Sequence, residues 1–529
     1  MFEAVTRRVD GVHGRALRPA LGRLWPLVDV AVAVALVLGG WAVTVRLVDV
    51  PAILLPSPIA VAHALAAHAA AVAANAVYTG REIALGWAAG VGAGVVLAVA
   101  MALSRRLRLF LGPILLAVRV VPLVVFAPVF VLLVGPTLAT RVLMAAILTF
   151  FPVAVATLDG LRSVPQSQVD LLAAVGAPRW KRVLTVHLPN ALPGLFAGLK
   201  IATPLAVEGV VIAEFLAASR GIGHAMIGAQ NRLQTALLFG YLAVLVALGL
   251  AVYGVVVLLD RVAGAGDSGA ALSADSLWTT DSDALSGAAA RPLSALAALL
   301  AVAALWALAA TVVPHARLFL AGPVAVARSL ASAPGLYLSA ATATAAKLAT
   351  GWALDALAGA TLGAVVALVP PLRTVVATYL VGFRVLPVIA FAPVLLVWLG
   401  VSFASGVVIV AASTFFPVAV GTAAGLRQLP TVQRDLLASV DAPARAAMRV
   451  RLRYAAPTLF AGVKLSIVTA LAGVIVAEWF VASAGLGVLV LQQTRSFQSA
   501  LALGAVAVAF AIGASLFGLA SLAQRSLRW

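Results

Sequence analysis

Apolar residues fill this chain in long blocks instead of alternating with polar ones. Leu27–Val48, Leu85–Leu103, Val142–Val155, Leu192–Ala217 and Leu237–Leu259 are runs of Ala, Val, Leu and Gly with little polar interruption. A helix needs about 20 such residues to cross a bilayer. Several of these runs reach that length, and Val142–Val155 does so with its neighbours. The pattern predicts an all-α, polytopic membrane protein with about twelve transmembrane helices, six in each half. Its third span carries Pro122 and Pro128. A broken helix is tolerated there only where neighbours or a cavity satisfy the freed carbonyls.

The halves are copies. Trp306, Pro323, Gly351–Trp352 and "VLPVIAFAPVLLVWLG" (Val385–Gly400) follow Trp41, Pro58, Gly86–Trp87 and "VVPLVVFAPVFVLLVG" (Val120–Gly135) by 265 residues. "FFPVAV" recurs at the same interval, at Phe150–Val155 and Phe415–Val420. Beyond a polar stretch the interval becomes 264, as in "LFAGLK" (Leu195–Lys200) and "LFAGVK" (Leu459–Lys464), so the second copy is one residue shorter there. Like order and like topology make a parallel repeat, related by an axis along the membrane normal. The domains expected are a cytoplasmic segment 1–26, a first membrane unit 27–259, a linker 260–291 and a second membrane unit 292–529. The Gly, Ser, Ala and Asp content of Asp260–Arg291 marks the linker as flexible.

The polar stretch is "DLLAAVGAPRWKRVLTVHLP", Asp170 to Pro189, with its counterpart at Asp435 to Pro457. Asp170 sits in the first turn of a short helix, Gly176 permits a turn, and Pro178 suits the start of the next helix. The product is a helical hairpin between spans four and five. It reads as a solvated loop or as a docking element for another protein. Recurrence in both halves favours docking.

Composition changes the picture in two ways. The 529 residues are 63% hydrophobic and 10% charged, with mean hydropathy +1.11, whereas soluble domains are about one quarter charged. There is no cysteine, which excludes disulfides and thiolate metal sites. The net charge of +18 comes from cations flanking spans on the cytoplasmic side, not from a nucleic-acid surface. Arg7, Arg8, Arg15, Arg18 and Arg23, "SRRLR" (Ser104–Arg108), and Arg179, Lys181 and Arg182 lie an even number of spans apart. One topology therefore places both termini, the linker and both hairpins in the cytoplasm, and the N-terminal segment is a leader, not a signal peptide. His63, His68, His187 and His224 lack metal-ligand spacing, and no metal or cofactor is expected.

The hairpins resemble the EAA loops of ATP-binding cassette importer permeases, with Asp in place of the usual Glu. "LPSP" (Leu55–Pro58), "GLKIA" (Gly198–Ala202), "AEFLAASRGIG" (Ala213–Gly223) and "AEWFVASAGLG" (Ala477–Gly487) are similar to the nitrate/taurine/sulfonate type. That group also includes permeases for thiamine-pyrimidine and riboflavin-like compounds. The resemblance implies the type I importer fold, two ATPase subunits docked on the loops and an extracytoplasmic solute-binding protein, in a bacterial cell membrane. It implies loop roles for Asp170, Ala173, Gly176, Pro178, Leu188 and Pro189, and for Asp435, Ala438, Asp441, Pro443 and Leu452. In the second loop Asp441 replaces the glycine and Arg453 replaces the proline. Asp tolerates left-handed geometry, so the turn survives or the loop has drifted. The chain has no Gly-x4-Gly-Lys-Ser/Thr phosphate loop, so it is not expected to be an enzyme, and ATP is bound by partners.

Ionisable residues inside spans mark function by default. Glu214 and Glu478 match just before Gly221–Gly223 and Gly485–Gly487. They are candidate path residues or acceptors for the N–H groups of those turns, and turn anchoring is favoured. Glu208 and Asp355 occur in one half only, opposite Ala472 and Gly90, and are further path candidates. Arg119 and Arg384 match each other, as do Lys200 and Lys464; both pairs are read as snorkelling to the cytoplasmic interface. Two rival readings are a fused permease for ferric iron or thiamine, which should lack the AE(F/W)…G(I/L)G run, and an ion-driven secondary transporter, which should lack paired loops.

Overall fold

The computed structural model describes residues 34–120, 122–164, 166–178, 181, 183–264, 292–312, 320–369 and 387–526. Segment 1–26, residues 265–291 of the linker, Arg179, Arg182, Arg384 and the side chain of Arg119 lie outside the described residues. Among those described, the regular structure is helical throughout. The first half runs α1 (Val34–Leu47), α2 (Pro58–Ala67), α3 (Ala69–Leu103), α4 (Arg105–Val120), α5 (Ala127–Val134), α6 (Leu138–Arg162), α7 (Gln166–Ala174), α8 (Leu188–Ala217), α9 (Ile222–Asn231) and α10 (Thr235–Ala263). The second runs α11 (Pro292–Val312), α12 (Pro323–Ser332), α13 (Pro334–Leu368), α14 (Ala392–Leu399), α15 (Phe403–Arg427), α16 (Thr431–Ser439), α17 (Ala444–Val481), α18 (Leu486–Arg495) and α19 (Ser499–Ser526).

Eight helices among the described residues are long and apolar enough to cross a membrane: α3, α6, α8, α10 and their partners α13, α15, α17, α19. The short run Val142–Val155 lies within the 25 residues of α6. The span with Pro122 and Pro128 is broken in both copies. After Pro122 comes a 3-10 turn, Leu123–Phe126, then α5; after Pro387 comes Val388–Phe391, then α14. Each turn is closed by its own proline carbonyl, from Val125 N (2.9 Å) and Ala390 N (2.8 Å).

Small residues let the long helices approach closely. In the first half α6 is sandwiched between α3 and α8, and in the second α15 lies between α13 and α17. At Gly90 a Cβ atom would fall 1.8 Å from Thr149 Oγ1. The second copy puts Asp355 there, beside Thr414, the counterpart of Thr149.

The halves interlock through the broken spans. Leu123–Phe126 packs on α17, and Val388–Phe391 packs on α8. One buried cluster joins Val124, Val125, Met144, Ile212 and Ala213 to Leu471, Val474 and Ile475 of the other half. Phe215 and Phe480 meet edge-to-face across the seam at 5.2 Å.

α10 runs on to Ala263, four residues into the stretch read as linker. Asp260 is buried, and its Oδ2 accepts from Lys200 Nζ at 2.7 Å. Lys464 likewise donates to Gln524 Oε1 at 2.6 Å and lies over the Phe517 ring. Each lysine thus reaches a polar partner on the last helix of its half.

Candidate functional site

Both hairpins form. α7 and α16 end in turns whose key residues have left-handed backbones, Gly176 at φ 72° and Asp441 at φ 44°. The closing bonds are the same: Gly176 N to Ala173 O (3.0 Å) and Ala177 N to Leu172 O (2.9 Å), against Asp441 N to Ala438 O (3.2 Å) and Ala442 N to Leu437 O (3.0 Å). This is the two-bond helix ending that normally takes glycine. Asp preserves it. Asp170, Ala173, Gly176 and Pro178 are on the surface of one hairpin, and Asp435, Ala438, Asp441 and Pro443 on that of the other. Each also presents two exposed apolar residues one turn apart, Leu171 and Val175, and Leu436 and Val440. Leu188, Pro189 and Leu452 lie where the following span begins, all exposed.

The hairpins differ beyond the turn. In the second half α17 starts at Ala444 and runs unbroken to Val481. In the first a π turn, Val183–His187, precedes α8. The repeat interval drops from 265 to 264 between Pro178 and Val186. A π turn accommodates one extra residue in a helix, and Val183–His187 overlaps the stretch in which the second copy is one residue shorter.

At the other end of α8 and α17 lie the paired acids. Glu214 Oε2 accepts from Gly223 N (2.6 Å), and Oε1 from Thr79 Oγ1 (2.7 Å). The Thr79 hydroxyl accepts from Ile222 N at 2.8 Å. Glu478 Oε2 accepts from Gly487 N (2.8 Å), and Oε1 from Thr344 Oγ1 (2.8 Å). Thr344 in turn accepts from Leu486 N at 2.8 Å. Both carboxylates are 1% exposed. Gly221 and Gly485, at φ 109° and 142°, press against them, leaving no room for a side chain.

Around this common core the charges are rearranged. In the second half Lys347 Nζ donates to Glu478 Oε1 at 2.9 Å and also bonds Ala484 O. The first half has Glu82 at the matching place, beside Glu214. Its counter-charge comes from α6: Arg141 pairs with Glu82 and donates to Tyr78 OH at 2.8 Å. The residue matching Arg141 is Gly406, where a Cβ would sit 3.1 Å from Lys347 Cδ. One half thus uses two acids and an arginine, and the other one acid and a lysine. Sequence reasoning found the two glutamates and missed Thr79, Glu82, Arg141, Thr344 and Lys347. Comparing ionisable residues at the 265-residue interval would have found Glu82, Arg141 and Lys347.

The unmatched acids fall in different places. Asp355 is 1% exposed, and both its oxygens lack a hydrogen-bond partner; the nearby Thr414 hydroxyl bonds Val410 O at 2.9 Å. Asp355 is thus enclosed between α13 and α15. Glu208 is half-buried on α8, one turn before Ile212, which belongs to the cluster that joins the halves. The structure does not bring the four candidate acids together.

Two tandem helical bundles that interlock along a central seam, each carrying a protruding hairpin, define a transport protein of the membrane. Residues 90–267 and 359–529 each match the binding-protein-dependent transport system inner membrane component family, and the chain belongs to that family. It is similar to a probable ABC transporter permease protein of Haemophilus influenzae, 35% identical over 213 residues, covering 40% of this chain and 87% of that protein. It is also similar to the riboflavin transport system permease protein of Chloroflexus aurantiacus, 32% identical over 251 residues, 45% of this chain and 89% of that one. The formylaminopyrimidine transport permease protein of Halalkalibacterium halodurans is 32% identical over 185 residues, 35% of this chain and 74% of its own. Each of these relatives is about as long as one repeat. The protein is thus a transmembrane permease subunit of an ABC importer with two permease domains in one chain.

Proposed function

We propose that this chain forms the whole transmembrane path of its importer, with two ATPase subunits docked on its two hairpins and a binding protein delivering solute to the opposite face. The observation that carries the reading is the matched pair of hairpins. Each keeps the left-handed turn and exposes apolar residues at corresponding positions, Leu171 and Val175 in one, Leu436 and Val440 in the other. Exposed apolar residues rimmed by polar ones mark interaction sites. The relatives' names make nitrate, sulfonate, taurine, riboflavin or a thiamine-precursor pyrimidine the solute classes to consider.

Co-purification of the ATPase subunits tests the docking. Gly176→Val and Asp441→Val should each lose bound ATPase, because a β-branched residue resists the left-handed turn, at about 1–2 kcal/mol for the backbone alone. The two losses should be similar, since the turns share their hydrogen bonds. Full ATPase retention in both variants would refute hairpin docking.

The natural lack of cysteine gives a test of orientation. Asp170→Cys and Asp435→Cys should be protected from a membrane-impermeant thiol reagent added outside intact cells, and Arg220→Cys, beyond the far end of α8, should react. External labelling at position 170 or 435 would overturn the cytoplasmic assignment.

A further inference from the structure

The seam between the halves is closed at one level by the shared buried cluster and the Phe215–Phe480 contact, and below that level one stripe of α8 is less buried. On α8 the residues Ile201, Pro204, Leu205 and Glu208 form one stripe at helical spacing, and all four are half-buried while their neighbours on other faces are buried. α17 presents the matching stripe Leu465, Val468, Thr469 and Ala472, also half-buried. Ala472 packs against the buried cluster that joins the halves. Continuing up the α8 stripe, Ile212 belongs to that cluster and Phe215 meets Phe480. Glu208 therefore lies one turn below the point where the seam closes.

An ionisable side chain within a span almost always faces the bundle interior or a water-filled cavity, because lipid exposure is too costly. No hydrogen bond or ion pair engages Glu208 among the described residues. Cations described on the long helices are committed elsewhere: Lys200 to Asp260, Lys347 to Glu478, Arg141 to Glu82 and Lys464 to Gln524. The matching stripe is apolar apart from Thr469, whose hydroxyl bonds its own helix at Ser466 O (3.1 Å). Among the described residues, an oxyanion at this level would meet a carboxylate and no uncommitted cation. An N–H donor or a cation would meet its acceptor, with apolar walls for the rest of the molecule.

We propose that Glu208 is the solute-contacting group of the path, and that the solute is an organic molecule offering it N–H donors or positive charge, not an oxyanion. This rests on the importer reading above, with the path along the seam. Of the solute classes considered, it selects amino- and imino-bearing heterocycles over nitrate and sulfonates.

The test uses the full chain co-expressed with its ATPase subunits in membrane vesicles. Leu205→Cys and Thr469→Cys place single thiols on the two stripes, and each is reacted with a cationic (trimethylammonium) and an anionic (sulfonate) methanethiosulfonate. Both thiols should label. The cation-to-anion rate ratio should fall by about tenfold when Glu208→Gln is added, as local steering by one charge requires, and Glu208→Asp should keep it. Absence of labelling at both positions would overturn the opening, and a ratio unchanged by Glu208→Gln would overturn the selection. ATPase co-purification from the same vesicles judges the importer reading separately, and it shows which variants have folded.

Discussion

Replacing Glu478 with Gln will cost about 3–5 kcal/mol of stability, the loss typical of a buried ion pair stripped of one partner, whereas the same change at Glu214 will be nearly neutral. Around Glu478 the buried Lys347 has only the carboxylate, at 2.9 Å, and the Ala484 carbonyl. An amide there leaves an ammonium group without a counter-charge. Around Glu214 the neighbour is Glu82. A Gln at 214 still accepts from Gly223 N, and its amide N–H groups find an acceptor in the Glu82 carboxylate, which offsets the Thr79 hydroxyl's loss of its acceptor at Oε1. Alanine at 214 should still lose about 1–3 kcal/mol, since the Gly223 N–H is left unpaired. Thermal unfolding of the two Gln variants in detergent, followed by intrinsic tryptophan fluorescence, makes the comparison. Equal shifts would mean that both acids act as plain turn anchors and that the surrounding charges are immaterial.

The second large effect is a transplant. Arg141→Gly alone should cost about 3–5 kcal/mol, because Glu82 and Glu214 then share a buried site without a cation. Glu82→Lys alone sets a new cation against Arg141. Together the two changes rebuild the arrangement of Lys347 and Gly406, in which the missing side chain makes room for the lysine stem. The double variant should therefore be more stable than either single one, an interaction energy that a double-mutant cycle in the same unfolding assay reports directly. Additive losses would show that the two clusters are not interchangeable solutions to one packing problem.

Much of this was legible before any coordinates. Runs of apolar residues gave the long helices, and Pro122 and Pro387 gave the broken spans, because proline's missing N–H acts locally. The tolerance of Asp for left-handed geometry was enough to keep the turn at Asp441 in view. Partners were harder. For Lys200 the counter-charge, Asp260, stands 60 residues on and reads as the start of a linker. Glu82 and Arg141 sit in different spans, and their pairing depends on how α3 lies on α6. The place of Glu208 on the seam could not be read from its own neighbours in the chain; it needed the cluster one turn further on that joins the halves.

The one-residue difference between the two hairpin arms bears on how such a chain evolves. A duplicated gene begins with interchangeable halves, and a homodimer must keep every change compatible with its own twin. Here one arm carries a residue that the other lacks, and the acid–base clusters are settled in two different ways. A symmetric pair of either half would repeat one arm and one cluster where this chain holds one of each.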